Sequence, residues 1–124
     1  MADLKFLVVD DSLTMRRIVV NALKAQGYGQ VMEAQDGKDA VAKIMSEGAG
    51  FVITDWNMPE MSGLEFIKAV RANEQTRHLP VLMVTTNASQ DDLVAAMKAG
   101  VNNYVVKPFT ADTIREKIEA ALKS

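Results

Sequence analysis

The chain has 124 residues, 48% hydrophobic and 24% charged, with a formal net charge of -2; this is the balance of one ordinary globular domain with room for a proper core. A slight acidic excess argues against nucleic acid as the main partner, because phosphate binding needs a surplus of Lys and Arg. Cysteine is absent, which excludes disulfides, thiolate catalysis and zinc–thiolate sites, and no apolar stretch approaches the roughly 20 residues of a membrane helix.

Asp3 and Lys5 interrupt the start of the chain, so no signal peptide is expected and the cytoplasm is the expected address. Residues 4–9 read as a strand whose apolar run is Phe6-Leu7-Val8-Val9, and Asp10-Asp11 follow it directly. Met15, Ile18, Val19, Ala22 and Leu23 then recur at helical spacing, with Arg16 and Arg17 read as a solvated face of that helix. Residues 31–34 are a second strand; Glu33 makes it the least apolar, which suits a sheet edge. Ala40, Val41, Ile44 and Met45 mark a second helix, and residues 51–54 a third strand that ends at Asp55.

Ser62-x-x-Glu65 reads as a capping box in front of Leu64, Ile67 and Val70. His78 belongs on a surface loop. Strand four, residues 81–84, is followed by Thr85-Thr86. Ser89 is a fitting N-cap for a helix with Asp91 and Asp92 in its first turn and Leu93, Ala96 and Met97 inward. Residues 104–106 are the fifth strand, closed by Lys107-Pro108, and Ile114, Ile118, Ala121 and Leu122 mark the last helix. Gly27, Gly48 and Gly100 stand where helices one, two and four should stop.

Five strands alternating with five helices through short connections predict an α/β fold, a parallel sheet with helices on both faces. The fifth helix runs to the end of the chain, so a single domain over residues 1–124 without an output domain is expected. Asp10-Asp11, Asp55, Thr85 and Lys107 all fall at carboxyl ends of strands, where open α/β sheets bind ligands. If the first and third strands are neighbours, the three acids converge. Two unit charges about 4 Å apart repel by roughly 4 kcal/mol at an effective dielectric near 20, so such a cluster invites a cation, and oxygen-only ligands suit Mg²⁺. Acids for a metal, a hydroxyl and a fixed ammonium together suit phosphoryl transfer. Taken singly the same residues have plainer readings. Asp is a good N-cap, Asp55 could be a turn residue, and Tyr104 an ordinary half-buried strand residue.

Val8-Val9-Asp10-Asp11-Ser12, Thr54-Asp55-Trp56-Asn57-Met58-Pro59, Val84-Thr85-Thr86 and Val105-Val106-Lys107-Pro108-Phe109 jointly resemble the receiver domain of bacterial two-component response regulators, over essentially the whole chain. Met15-Arg16-Arg17-Ile18-Val19 and Tyr104 through Thr110 bring it nearest to the single-domain chemotaxis regulators of that family. The resemblance implies a flavodoxin-like (βα)5 doubly wound sheet with strand order 2-1-3-4-5. It implies that Asp55 is the phosphoacceptor, and that Asp10, Asp11, Asp55 and the Asn57 backbone carbonyl hold Mg²⁺, Asp11 directly and Asp10 largely through water. Lys107 would pair with Asp55 or the phosphoryl group, across a cis bond to Pro108. Thr85 and Tyr104 would form the switch, Thr85 bonding a phosphoryl oxygen and Tyr104 moving into the space released.

The implied donor is a chemotaxis histidine kinase, the implied reader the flagellar motor switch protein, and a phosphatase belongs to the same set of partners; the chain would be a monomer and a signalling switch rather than an enzyme. Thr86 stands where the family often has Ala, and Asn87 where Glu is frequent, which implies altered access and dephosphorylation. A stand-alone relay receiver, or one serving another pathway, is the alternative. A Mg²⁺-dependent phosphohydrolase would carry a second acid where Ser12 stands, and a flavin carrier would need a phosphate loop where Asp10-Asp11 would repel its ligand.

Overall fold

A computed structural model describes residues 4–56, 61–85, 89–107 and 109–123. Its elements run β1 (Phe6–Val9), α1 (Leu13–Ala25), β2 (Val31–Ala34), α2 (Gly37–Glu47), β3 (Phe51–Asp55), α3 (Gly63–Ala72), β4 (Val81–Thr85), α4 (Gln90–Ala99), β5 (Asn103–Val106) and α5 (Ala111–Lys123). All neighbouring strands are parallel, in the order β2-β1-β3-β4-β5. This is the doubly wound, flavodoxin-like sheet that the alternation and the motifs imply. Glu33 does mark an edge, because β2 pairs only with β1 within the sheet.

Period-2 alternation in the buried strands feeds two cores. Leu7, Val9, Val52, Val81 and Met83 pack with Ala40, Ile44, Phe66, Ile67, Val70 and Ala96, so α2, α3 and α4 cover one face. Phe6, Val8, Phe51, Ile53, Leu82, Val84 and Val105 pack with Val19, Val20, Leu23, Ile114, Ile118 and Ala121, so α1 and α5 cover the other. A fully buried Phe, Ile or Leu contributes about 1.5–3 kcal/mol, and this double layer is what fixes where the strand ends emerge.

Helix starts follow local chemistry. Ser62 and Glu65 form the reciprocal capping box, and the Ser89 hydroxyl accepts from Asp92 N. The Ser12 hydroxyl accepts from Met15 N at 3.3 Å. Ser12 therefore caps α1, and neither Asp10 nor Asp11 is consumed in that role. Gly100 ends α4 in the left-handed region, φ 114°, where a side chain would be strained.

Three inward faces differ from the sequence expectation. Ile18 is 45% exposed, whereas Val19, Val20 and Leu23 are buried. The apolar arc of α1 is wider than the arc that meets the sheet, and α5 selects the Val20 side. Met97 and Met45 likewise lie at the rims of their helices, about half exposed.

Candidate functional site

Asp10, Asp55 and Lys107 each lie two residues beyond a member of the α1–α5 core, namely Val8, Ile53 and Val105. Alternation carries all three toward the same side of the sheet as it ends. Parallel register places β1 directly beside β3, and the acids meet. One oxygen each from Asp10, Asp11 and Asp55 lies within 4.8 Å of the others.

The two inner acids are well anchored. Asp10 is 4% exposed; its Oδ1 accepts from Ser12 N at 2.9 Å and its Oδ2 from Lys107 Nζ at 3.1 Å. Asp55 is 9% exposed; its Oδ1 accepts from Trp56 N at 2.8 Å and stands 3.8 Å from Lys107 Nζ. Lys107 is thus a buried ammonium rather than a solvated one, and its shorter bond is to Asp10 rather than Asp55. Asp11 is exposed, so the cluster opens to water on that side. Three carboxylates face one ammonium, all donors are hard oxygens, and the open side leaves positions for water. This set fits a hard divalent cation that keeps part of its hydration.

Thr85 follows Met83 of the opposite core and is fully buried at the end of β4; its carbonyl accepts from Lys107 N at 2.8 Å. Tyr104 packs on that same core, paired in register with Met83, with Lys117 Nζ 5.6 Å from its ring centroid. The acceptor cluster and the Thr85–Tyr104 pair therefore occupy opposite sides of the sheet and meet at its rim. Trp56 is buried beside Asp55, and His78 is an exposed loop residue. Asn57, Thr86, Asn87 and Pro108 lie outside the described residues.

Arg16, expected on a solvated face, and Gly63, given no role by the sequence, both shape this site. Arg16 is not a solvated side chain: it is 14% exposed and its Nε meets Glu33 Oε1 at 2.9 Å, while its Nη1 donates to the Asp10 carbonyl at 2.7 Å. Gly63 opens α3, and its N–H donates to Trp56 O at 2.8 Å. A Cβ there would lie 2.8 Å from Asp55 O, Trp56 Cα and Trp56 O, all backbone atoms that cannot rotate away. Glycine just after an N-cap was the available signal, since it is a poor helix former unless something approaches closely. Gly63→Ala should therefore cost about 2 kcal/mol by overpacking, read as a lower urea midpoint. An unchanged midpoint would mean that the strand end yields freely.

A family model described as the response regulator receiver domain matches residues 6–119. The chain belongs to that family. This receiver is 52% identical over 116 residues to the chemotaxis protein CheY of Pseudomonas aeruginosa, covering 94% of each chain. It is 48% identical over 117 residues to CheY-3 of Vibrio cholerae, covering 94% of this chain and 90% of that one. Among solved structures it superposes on Vibrio cholerae chemotaxis protein CheY4 with a TM-score of 0.89 at 37% identity, over 95% of this chain and 98% of that one. A response regulator receiver protein from Pseudomonas putida gives a TM-score of 0.86 at 28% identity, over 96% and 98% of the respective chains. The receiver is homologous to the CheY chemotaxis regulators across nearly its whole length.

Proposed function

We propose that this receiver is switched by phosphorylation of Asp55. One observation carries the reading: three carboxylates within 4.8 Å share a rim with a buried ammonium 3.8 Å from one of them. A carboxylate oxygen of Asp55 attacks the phosphorus of a phosphohistidine; the P–O bond forms, the P–N bond breaks, and the imidazole leaves with a proton from water. Asp10, Asp11, Asp55 and the Asn57 carbonyl would hold Mg²⁺, which would supply the charge neutralisation that lets an anion approach a phosphoryl group. The Trp56 N–H donates to Asp55 Oδ1 at 2.8 Å and orients the carboxylate. Lys107 shields the developing charge. The protein modifies its own side chain and is a switch, not an enzyme acting on free substrate.

The added phosphoryl group brings about -1.5 to -2 charges and strong acceptors. In this reading the Thr85 hydroxyl turns toward it, and Tyr104 follows on the far side of the sheet. The face made by α4, β5 and α5 is the output surface: Val94, Met97 and Val106 are 44%, 48% and 36% exposed there, apolar side chains that a partner can cover. The donor is a chemotaxis histidine kinase and the reader the flagellar motor switch protein, with a phosphatase ending the signal. The cytoplasm is the corresponding address. Among the described residues no helix is long and apolar enough to cross a membrane.

Trp56 reports both steps. Titration with Mg²⁺ should quench its fluorescence with micromolar-to-millimolar affinity, and acetyl phosphate should then change it further only when the metal is present. A signal indifferent to metal overturns the mechanism. Binding to a motor switch peptide should strengthen with a phosphoryl mimic, and failure to strengthen would remove the chemotaxis assignment.

A further inference from the structure

The Arg16 guanidinium reaches two places at once. Nε binds Glu33 Oε1 on the edge strand at 2.9 Å, and Nη1 donates to the backbone carbonyl of Asp10 at 2.7 Å. The side chain is 14% exposed, against 58% for Arg17, which meets the same Glu33 oxygen at 3.5 Å but bonds nothing at Asp10. Glu33 is held in turn from α2, where Lys43 Nζ donates to its carbonyl and forms an ion pair with Asp39 at 3.3 Å. The turn from β1 into α1, which presents Asp10 and Asp11, is therefore tied through one planar fork to the edge of the sheet.

We propose that Arg16 is a positioning residue for the cation site, a brace from Glu33 that fixes the Asp10 backbone and thereby the two N-terminal acids. The inference rests on the metal reading given above. Its sign separates it from plain electrostatics. Removing a positive charge beside three carboxylates should tighten cation binding if charge alone matters. Removing a brace should weaken it, and outer-shell partners of metal ligands typically account for about 10–100-fold in affinity.

The test is Mg²⁺ titration followed by Trp56 fluorescence in four proteins. Arg16→Gln should raise the Kd about tenfold. Arg16→Lys should also weaken binding, because an ammonium keeps the charge but cannot span both acceptors. Arg17→Gln, with the same charge loss one residue away, should bind as wild type or slightly tighter. Amide hydrogen exchange at Ser12, whose N–H bonds Asp10 Oδ1, should speed up in metal-free Arg16→Gln but not in Arg17→Gln, while far-UV circular dichroism stays unchanged. Equal or tighter Mg²⁺ binding by Arg16→Gln, or unaltered Ser12 exchange, overturns the brace and leaves the metal reading standing. A wild type blind to Mg²⁺ overturns the metal reading instead, and Ser12 exchange then decides the brace without it.

Discussion

Asp55→Asn is expected to take up no phosphoryl group from acetyl phosphate, yet to melt no lower than the wild type in the absence of metal. The carboxamide oxygen can still accept from the Trp56 N–H that lies 2.8 Å from Oδ1, so the local frame survives. What disappears is the anionic nucleophile. Charge accounting then favours the variant: Asp55 stands within 4.8 Å of two other carboxylates and 3.8 Å from one ammonium that has a nearer partner in Asp10. Each repulsion at such range is of the order of 4 kcal/mol at an effective dielectric near 20. Two repulsions are lost against one attraction, so the metal-free melting temperature should rise at low salt, and Mg²⁺ should stabilise the variant less than the wild type. Mass-spectrometric labelling after acetyl phosphate, with thermal melts with and without Mg²⁺, checks both halves. Retained labelling would remove Asp55 as the acceptor, and a lower metal-free melting temperature would mean that the cluster is not repulsive.

Arg71→Met should be the most destabilising of the substitutions considered, while leaving phosphoryl uptake intact. From α3 this side chain donates to the carbonyls of Arg77 at 2.8 Å, Leu79 at 2.6 Å and Gly100 at 2.6 Å, and to Asn102 Oδ1 at 3.1 Å. Asn102 Oδ1 also accepts from Val81 N, so the start of β4 and the end of α4 are tied to one guanidinium. Burial lowers the pKa of Arg71 from its ordinary value, and the fan of acceptors offsets that desolvation. Methionine retains the aliphatic stem and strands those oxygens. Charged hydrogen bonds contribute about 1.5–3 kcal/mol each and are not additive, so a loss of about 3 kcal/mol is expected. For a domain of this size that is a fall of about 10 °C in Tm. Urea unfolding with an unchanged slope measures it; a loss below about 1 kcal/mol would show that water replaces the fan readily.

Much of this architecture was legible from residue order. Four apolar runs ending in Asp10, Asp55, Thr85 and Lys107 announce buried parallel strands with chemistry at their carboxyl ends, and register did bring Asp10, Asp11, Asp55 and Lys107 together. Caps were legible because capping is local: Ser62, Glu65 and Ser89 act within one turn. What escaped depends on distance along the chain. The Arg16–Glu33 pair spans 17 positions and the Arg71–Gly100 pair 29, and nothing near either arginine marks its partner. Ile18 and Val20 have equal claims to an apolar arc until a second helix chooses between them. Lys107 stands 97 residues from Asp10, so its preference for that acid, 3.1 Å against 3.8 Å to Asp55, rests on a small difference in distance that no spacing rule encodes.

The hook between Glu33 and the two arginines also bears on solubility. An outermost strand presents unpaired amides and carbonyls to any other chain, and such borders are where proteins fuse into larger sheets. Here that border is only four residues long, and Arg16 and Arg17 converge on its mid-strand acid, so a charged, crowded flank stands where a foreign strand would have to dock.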